Sequence, residues 1–308
     1  MPADSAVLEW LLAGDPAIRW QVLRDLLDAP DKATAERRRI SSEGWGAAFL
    51  AQQQPDGRWD GIYTYKWTST TYTLLTLRRL GLEPGYEQAL KGCQILLDLG
   101  FYNDGGINFF ASLKHSETCV TGMVLSVLAY FHLTDPRLVR LVDHLLEQQM
   151  PDGGWNCQSY NGATHSSFHT TISVLEGLQA YAFWQPQEAK RIRQAQEKGR
   201  EFLLIHRLFR SHRTGKVVNS TLTRFSFPPR WHYDVLRGLD YFQESQAPRD
   251  QRLQDAIDLL YKRRKPDGRW VLQNRHSGRT YFEMEETGQP SRWNTLRALR
   301  VLRWWETT

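Results

Sequence analysis

The sequence predicts an all-α fold built from repeated helices, on three observations. A short stretch with helical apolar spacing recurs six times, a turn centred on Asp-Gly recurs between the copies, and no run of Gly, Ser or Pro breaks the chain into separate parts. Repeats with a period of this length mark an architecture in which each unit buries its apolar face against the next.

The six copies read AIRWQVLRDL, TTYTLLTLRRL, VTGMVLSVLAYF, TTISVLEGL, RWHYDVLRGL and RWNTLRALRVL. Their shared leucines, Leu23, Leu75, Leu125, Leu175, Leu236 and Leu296, are separated by steps of 52, 50, 50, 61 and 60 residues. Apolar residues at i, i+3 and i+4, as in Val235, Leu236 and Leu239, give each copy one buried stripe. Six equivalent helices are expected.

The second repeated element ends in a turn: QQQPDGRW (Gln52 to Trp59), FYNDGGI (Phe101 to Ile107), EQQMPDGGW (Glu147 to Trp155) and KRRKPDGRW (Lys262 to Trp270). Asp56, Asp104 and Asp152 are 48 apart and Asp267 follows 115 later, two steps on, with GREFLLIHRLFRSHRTG (Gly199 to Gly215) as the copy between. Pro fixes φ, Asp accepts from amides ahead of it and Gly supplies positive φ, so Pro-Asp-Gly ends a helix and reverses the chain. The Trp that follows can then close a core.

Gly46, Phe49, Leu50, Gln53, Gly57 and Trp59 match the QW repeat, and Leu146, Gln149, Gly153 and Trp155 repeat its second half. On these residues the chain resembles the terpenoid cyclase and protein prenyltransferase toroids. In the later copies Arg264 replaces the Gln, and the Gly199 copy keeps Phe202 and Leu203 but loses the turn. The resemblance covers essentially the whole chain, since a helix around Val7 to Leu12 gives the first inner helix an outer partner. It implies an (α/α)6 toroid of six inner and six outer helices forming one domain, residues 1–308. It leaves the chemistry open, because one fold hosts many activities.

A chain of 308 residues with 41% hydrophobic content can bury a large core. The longest loops are expected at Arg210 to Arg230 and Asn274 to Arg292, where function often resides. Three cysteines, Cys93, Cys119 and Cys157, make no disulfide scaffold, and no signal peptide or membrane-spanning run is recognisable, so a cytoplasmic protein is expected. Net charge +5 and pI near 9.1 are mild. Arg37 to Arg39 and Lys262 to Lys265 read as solvated helix faces, and without a nucleic-acid-binding module no nucleic-acid partner is expected.

In the toroids that the chain resembles, the N-terminal ends of the inner helices line a central cavity. Trp and charged side chains recur at those ends here: Trp67, Arg230, Trp231, Tyr233, Arg292 and Trp293 are the candidate ligand-binding residues. Aromatic walls with basic groups at helix N-termini suit a small or lipid-like molecule with an apolar body and an acidic head, such as a prenyl diphosphate. Packing tryptophans and capping arginines are the other reading of the same residues.

The related cyclases protonate an alkene with an Asp-x-Asp-Asp motif, and no Asp-Asp pair occurs in this sequence, so protonation-initiated cyclisation is not expected. The Asp-Asp-x-x-Asp metal motif is missing as well. The prenyltransferases hold zinc with an Asp-x-Cys pair on one inner helix and an aromatic-His-Thr segment on the next. Glu117-Thr118-Cys119 and Phe168-His169-Thr170 resemble these segments 50 residues apart, so the resemblance implies a zinc site at Glu117, Cys119 and His169, with Glu in place of Asp. An ordinary buried thiol and a hydrogen-bonded wall histidine are the alternative.

His165, four residues before His169 on the same expected helix face, is a candidate general base or fourth ligand, and His232 with Asp234 forms a second acid-base pair. No nucleophile elbow, phosphate loop, Cys-x-x-Cys or His-Glu-x-x-His motif is present. The function expected is binding or transformation of an isoprenoid-like ligand. A non-catalytic binding domain is the first alternative, and a glycan-processing toroid using Glu117 and Asp234 is the second.

Overall fold

A computed structural model describes residues 4–64 and 66–307. Thirteen α-helices account for the regular structure among them. They are α1 (Ser5–Leu12), α2 (Pro16–Asp25), α3 (Pro30–Arg38), α4 (Gly44–Leu50), α5 (Thr70–Leu80), α6 (Glu87–Gly100) and α7 (Thr118–Tyr130). The rest are α8 (Arg137–Glu147), α9 (Phe168–Trp184), α10 (Ala189–Ile205), α11 (Val235–Glu244), α12 (Gln254–Arg263) and α13 (Arg292–Glu306). The fold is all-α, and the six repeated stretches are α2, α5, α7, α9, α11 and α13. Each is preceded by a helix that ends at a turn, and α3 is additional. No helix among the described residues is long and apolar enough to cross a membrane.

Two compact units divide the chain. The first comprises Met1–Ala51, Arg79–Leu82 and Leu204–Thr308, and the second Gln52–Arg78 and Glu83–Leu203.

In the second unit the repeat has a physical mechanism. The amide of the residue that ends each turn donates to a threonine hydroxyl in the first turn of the next helix: Trp59 to Thr70 at 3.0 Å, Ile107 to Thr121 at 2.9 Å and Trp155 to Thr171 at 3.0 Å. Gln53 and Gln149 tie the turn outward, each amide donating to the turn glycine carbonyl and to a carbonyl of the next outer-helix region, Gln88 or Ala195. The glycines Gly57 and Gly153 have φ of +94° and +93°, which a side chain would strain. Trp59 and Trp155 are fully buried. Helices α7 and α9 pack face to face because glycines meet at their crossing: a Cβ on Gly177 would lie 2.5 Å from the Gly122 carbonyl oxygen.

The same device recurs in the first unit, where the Trp270 amide donates to Thr295 at 3.0 Å and the Trp270 indole to the Leu260 carbonyl at 2.8 Å. Arg264, standing where the other copies have Gln, lies over the Trp270 ring. Counted four residues on from the bonded threonines, the equivalent positions are Leu74, Leu125, Leu175 and Leu299. The leucine register read from sequence is therefore one residue off in α5 and three off in α13, because leucine-rich helices are self-similar at several offsets.

Helix α13 packs against both α11 and α2, joining the last repeat to the first. Asp240 on α11 sits between Arg297 (3.0 Å) and Arg300 (2.6 Å), all three buried, and Arg300 also reaches Gln21 and Asp25 on α2. Burial would push the Asp240 carboxyl up, but Arg300 and Arg297 hold it below its ordinary value.

Two consequences can be measured by chemical denaturation. Thr171→Val should destabilise by about 1–3 kcal/mol, because it leaves the buried Trp155 amide without its acceptor. An unchanged midpoint would remove the threonine from the role given to it. Asp240→Asn should cost about 3–5 kcal/mol at neutral pH by removing the buried carboxylate that Arg297 and Arg300 share. Since folding lowers the Asp240 pKa, its contribution is complete above the unfolded value of about 3.9 and disappears as pH falls through the folded one, so the gap between variant and wild type should narrow in acid.

Candidate functional site

The segments linking each turn to its inner helix carry the chemistry of the second unit. After Trp59 the chain brings Tyr63 against Tyr72 of α5, with ring centroids 5.4 Å apart and the Tyr72 hydroxyl donating to that of Tyr63 at 3.1 Å. After Ile107 it brings Phe109 and Phe110 to the same tyrosine, one stacked at 5.9 Å and the other edge-on at 5.6 Å. Trp67 meets Tyr72 edge to face at 4.8 Å. Tyr63, Phe109, Phe110 and Tyr102 line a cavity of about 470 Å³, with Lys114 at its edge.

Polar groups gather around Tyr63. Glu117 is the N-cap residue of α7 but gives no side-chain cap bond, and its Oε2 is buried without a hydrogen-bond partner. Burial raises its carboxyl above the ordinary value, opposed by the charge of His115. Two residues on, the Cys119 amide donates to the Cys157 sulfur at 3.0 Å, and Thr170 donates to the same sulfur at 3.5 Å. The neighbouring Cys157 side chain pushes the Cys119 thiol well up, with burial adding, and the Cys119 side chain draws Cys157 down against its burial. Burial also raises the Tyr63 phenol, reinforced by Cys119, Glu117 and Cys157.

Glu117 and Cys119 therefore share a site, but Cys119 meets Cys157 there. His169, on the first turn of α9, is half-buried, and its carbonyl accepts from Ser173. Among the described residues no group of three or more His, Cys, Asp and Glu side chains is placed to hold a metal ion. Glu117, Cys119 and His169 are thus not gathered into the set that the resemblance implies for zinc. His165 does not share a helix face with His169, because α9 begins at Phe168 after an extended Ser167. It lies in the preceding loop, exposed, its carbonyl accepting from Asn156.

In the first unit several candidates are occupied with holding the fold. Asp234 is the N-cap of α11, one carboxylate oxygen accepting the Arg237 amide at 2.9 Å and the other the Ser226 amide at 3.0 Å. Burial nevertheless raises its pKa. The buried Tyr233 hydroxyl donates to the Leu208 carbonyl at 2.8 Å. Arg292 donates to the Trp10 carbonyl at 3.0 Å and lies over the Trp10 ring. Arg230 is buried at φ +57°. Trp293, 1% exposed, stacks on Phe227 at 4.2 Å, and Glu285 caps α13 by accepting from the Ser291 hydroxyl and the Trp293 amide.

His232 departs from this pattern. Its ring lies between Trp231, at 3.8 Å, and His276, at 3.6 Å and nearly parallel. Trp231 and His232 are both half-buried.

Tyr63, Tyr72, Phe109, Phe110 and Cys157 were not identifiable from sequence as site residues. The available signal was positional: Tyr63, Phe109, Phe110 and Cys157 follow a turn-ending residue by two to four positions.

No protein-family model and no curated protein matches the chain. It is similar to solved structures of the type II terpene cyclase MstE from Scytonema. A variant of that enzyme in complex with geranylgeranyl dihydroxybenzoate, its substrate, shares 17% identity over 97% of this chain and 87% of that chain, with a TM-score of 0.43. The apo enzyme shares 17% identity over 97% of this chain and 88% of that chain, also with a TM-score of 0.43. A second variant, in complex with the product merosterolic acid A, shares 13% identity over 88% and 96% of the two chains, with a TM-score of 0.33.

The raised Glu117 carboxyl predicts a pH signature. Folding disfavours its charged form, so its effect on stability is absent below the ordinary carboxylate pKa and grows as pH rises through the folded value. Glu117→Gln should leave acid stability unchanged and raise the denaturation midpoint at neutral pH. Parallel pH profiles for variant and wild type would show that the carboxyl is not desolvated.

Proposed function

We propose that the second unit binds a small ligand with an apolar, isoprenoid-like body and an acidic head, in the cavity beside Tyr63. The observation carrying this reading is one tyrosine ring that packs against Phe109 and Phe110 and lies within electrostatic reach of a desolvated polar cluster, Glu117, Cys119 and Cys157. A pocket that is mostly aromatic, with a few converging polar groups, is how proteins hold small apolar ligands. Lys114, which lines the same cavity, supports the anionic head in this reading. In the first unit, Trp231 stacked on His232 is proposed as a further ligand contact.

Proton transfer is the chemistry these residues offer. Burial biases Glu117 toward its protonated form, the state a general acid needs, and a shifted carboxyl in an aromatic site is a functional-site signature. A non-catalytic binding role is the second reading. It is favoured by the bonds that commit Asp234, Tyr233 and Arg292 to packing and capping.

Isothermal titration calorimetry with geranylgeranyl diphosphate and with geranylgeraniol tests the proposal. Phe110→Ala should weaken both about tenfold, equivalent to about 1.4 kcal/mol. Lys114→Ala should weaken the diphosphate alone. No binding of either probe by the wild type, or equal binding by wild type and Phe110→Ala, would overturn it. Product analysis of the bound diphosphate separates the two readings: a new product that Glu117→Gln fails to form supports catalysis, and unchanged ligand supports binding alone.

A further inference from the structure

Two of the three cysteines are brought together by the repeat. Cys157 lies two residues after the turn tryptophan Trp155, and Cys119 lies in the first turn of α7, 38 residues earlier. The Cys119 amide donates to the Cys157 sulfur at 3.0 Å, and the Thr170 hydroxyl donates to the same sulfur at 3.5 Å. Both are half-buried, whereas Cys93 is fully buried. With its sulfur 3.0 Å from the Cys119 amide nitrogen, Cys157 places that sulfur within about 4.5 Å of the Cys119 Cα.

We propose that Cys119 and Cys157 form a reversible dithiol–disulfide site that exchanges with small disulfides such as glutathione disulfide. The Cys157 sulfur accepts from the Cys119 amide and the Thr170 hydroxyl, donors that favour a thiolate, which makes it the attacking group. It attacks one sulfur of glutathione disulfide, forming a mixed disulfide and releasing one glutathione thiolate. Cys119 gives up its proton and attacks the Cys157 sulfur, forming the intramolecular disulfide and releasing the second glutathione. Two cysteine thiols are oxidised by two electrons and one glutathione disulfide is reduced to two glutathiones. The bond ties the turn before α9 to the start of α7, beside Glu117 and Tyr63. This site stands independently of what the neighbouring cavity binds.

The test uses the full chain without ligand, equilibrated in glutathione redox buffers of graded ratio, quenched with acid and alkylated. Peptide mass spectrometry under non-reducing conditions should find a Cys119–Cys157 linked peptide that increases with the oxidised fraction and disappears with dithiothreitol, while Cys93 stays alkylatable only after denaturation. Cys119→Ser should abolish the cross-link and leave Cys157 as its glutathione mixed disulfide. Cys157→Ser should abolish the cross-link and leave Cys119 largely unmodified. Free Cys119 and Cys157 after equilibration with excess glutathione disulfide, or a cross-link through Cys93 instead, would overturn the assignment.

Discussion

The interaction on which four of the six repeats depend is the bond between a turn amide and a threonine hydroxyl at the start of the next repeated helix. A Pro-Asp-Gly turn reverses the chain, but it does not say where the returning helix should begin. The donated hydrogen bond does, since the amide of Trp59, Ile107, Trp155 or Trp270 would otherwise be buried without an acceptor. The bulky residue at the same position fills the space between outer and inner helix, so one residue serves the backbone and the core together. Where the glutamine of the repeat is lost, as at Arg264, the threonine bond remains. The inner connection is therefore the more basic of the two.

Fixing both ends of the link between turn and helix has a consequence for chemistry. The link is anchored at the turn amide and at the threonine, so its intervening side chains are aimed rather than loose. Tyr63, Phe109, Phe110 and Cys157 all sit in such links and converge with Glu117 and Cys119 at the start of α7. The helix ends of the first unit are used differently. Asp234, Glu285 and Asp15 cap helices with carboxylates, and once both oxygens of such a group accept hydrogen bonds from amides or hydroxyls, it has little freedom left for acid-base work.

Buried charge appears where the last helix meets the first. Arg297, Asp240 and Arg300 are removed from water, and the desolvation of three ions is offset because Asp240 pairs with both arginines, Arg297 also donates to the Ser226 carbonyl and Arg300 also reaches Gln21 on α2. Such a cluster adds less to net stability than an apolar core of the same volume would. It does discriminate, because only one alignment of α13 against α11 and α2 satisfies all three groups.

Periodicity and turn chemistry determined the all-α class, the six repeated helices, the position of the turns and the resemblance to the terpenoid cyclase and prenyltransferase proteins. These are local properties, written in spacings of three, four and about fifty residues. The exact register of α5 and α13 was not, because leucine spacing alone repeats at several offsets and a hydroxyl bond selects among them. Nor was the partner of Cys119: a position one repeat away, at His169, and a position in a link, at Cys157, are both compatible with the sequence, and only the packed path of the link brings one sulfur within reach. Which charged residues are committed to caps and which are left desolvated beside aromatic rings likewise depends on backbone groups distant in the chain. Tertiary structure decided the site, because burial and hydrogen-bond supply are properties of the surroundings rather than of the residue.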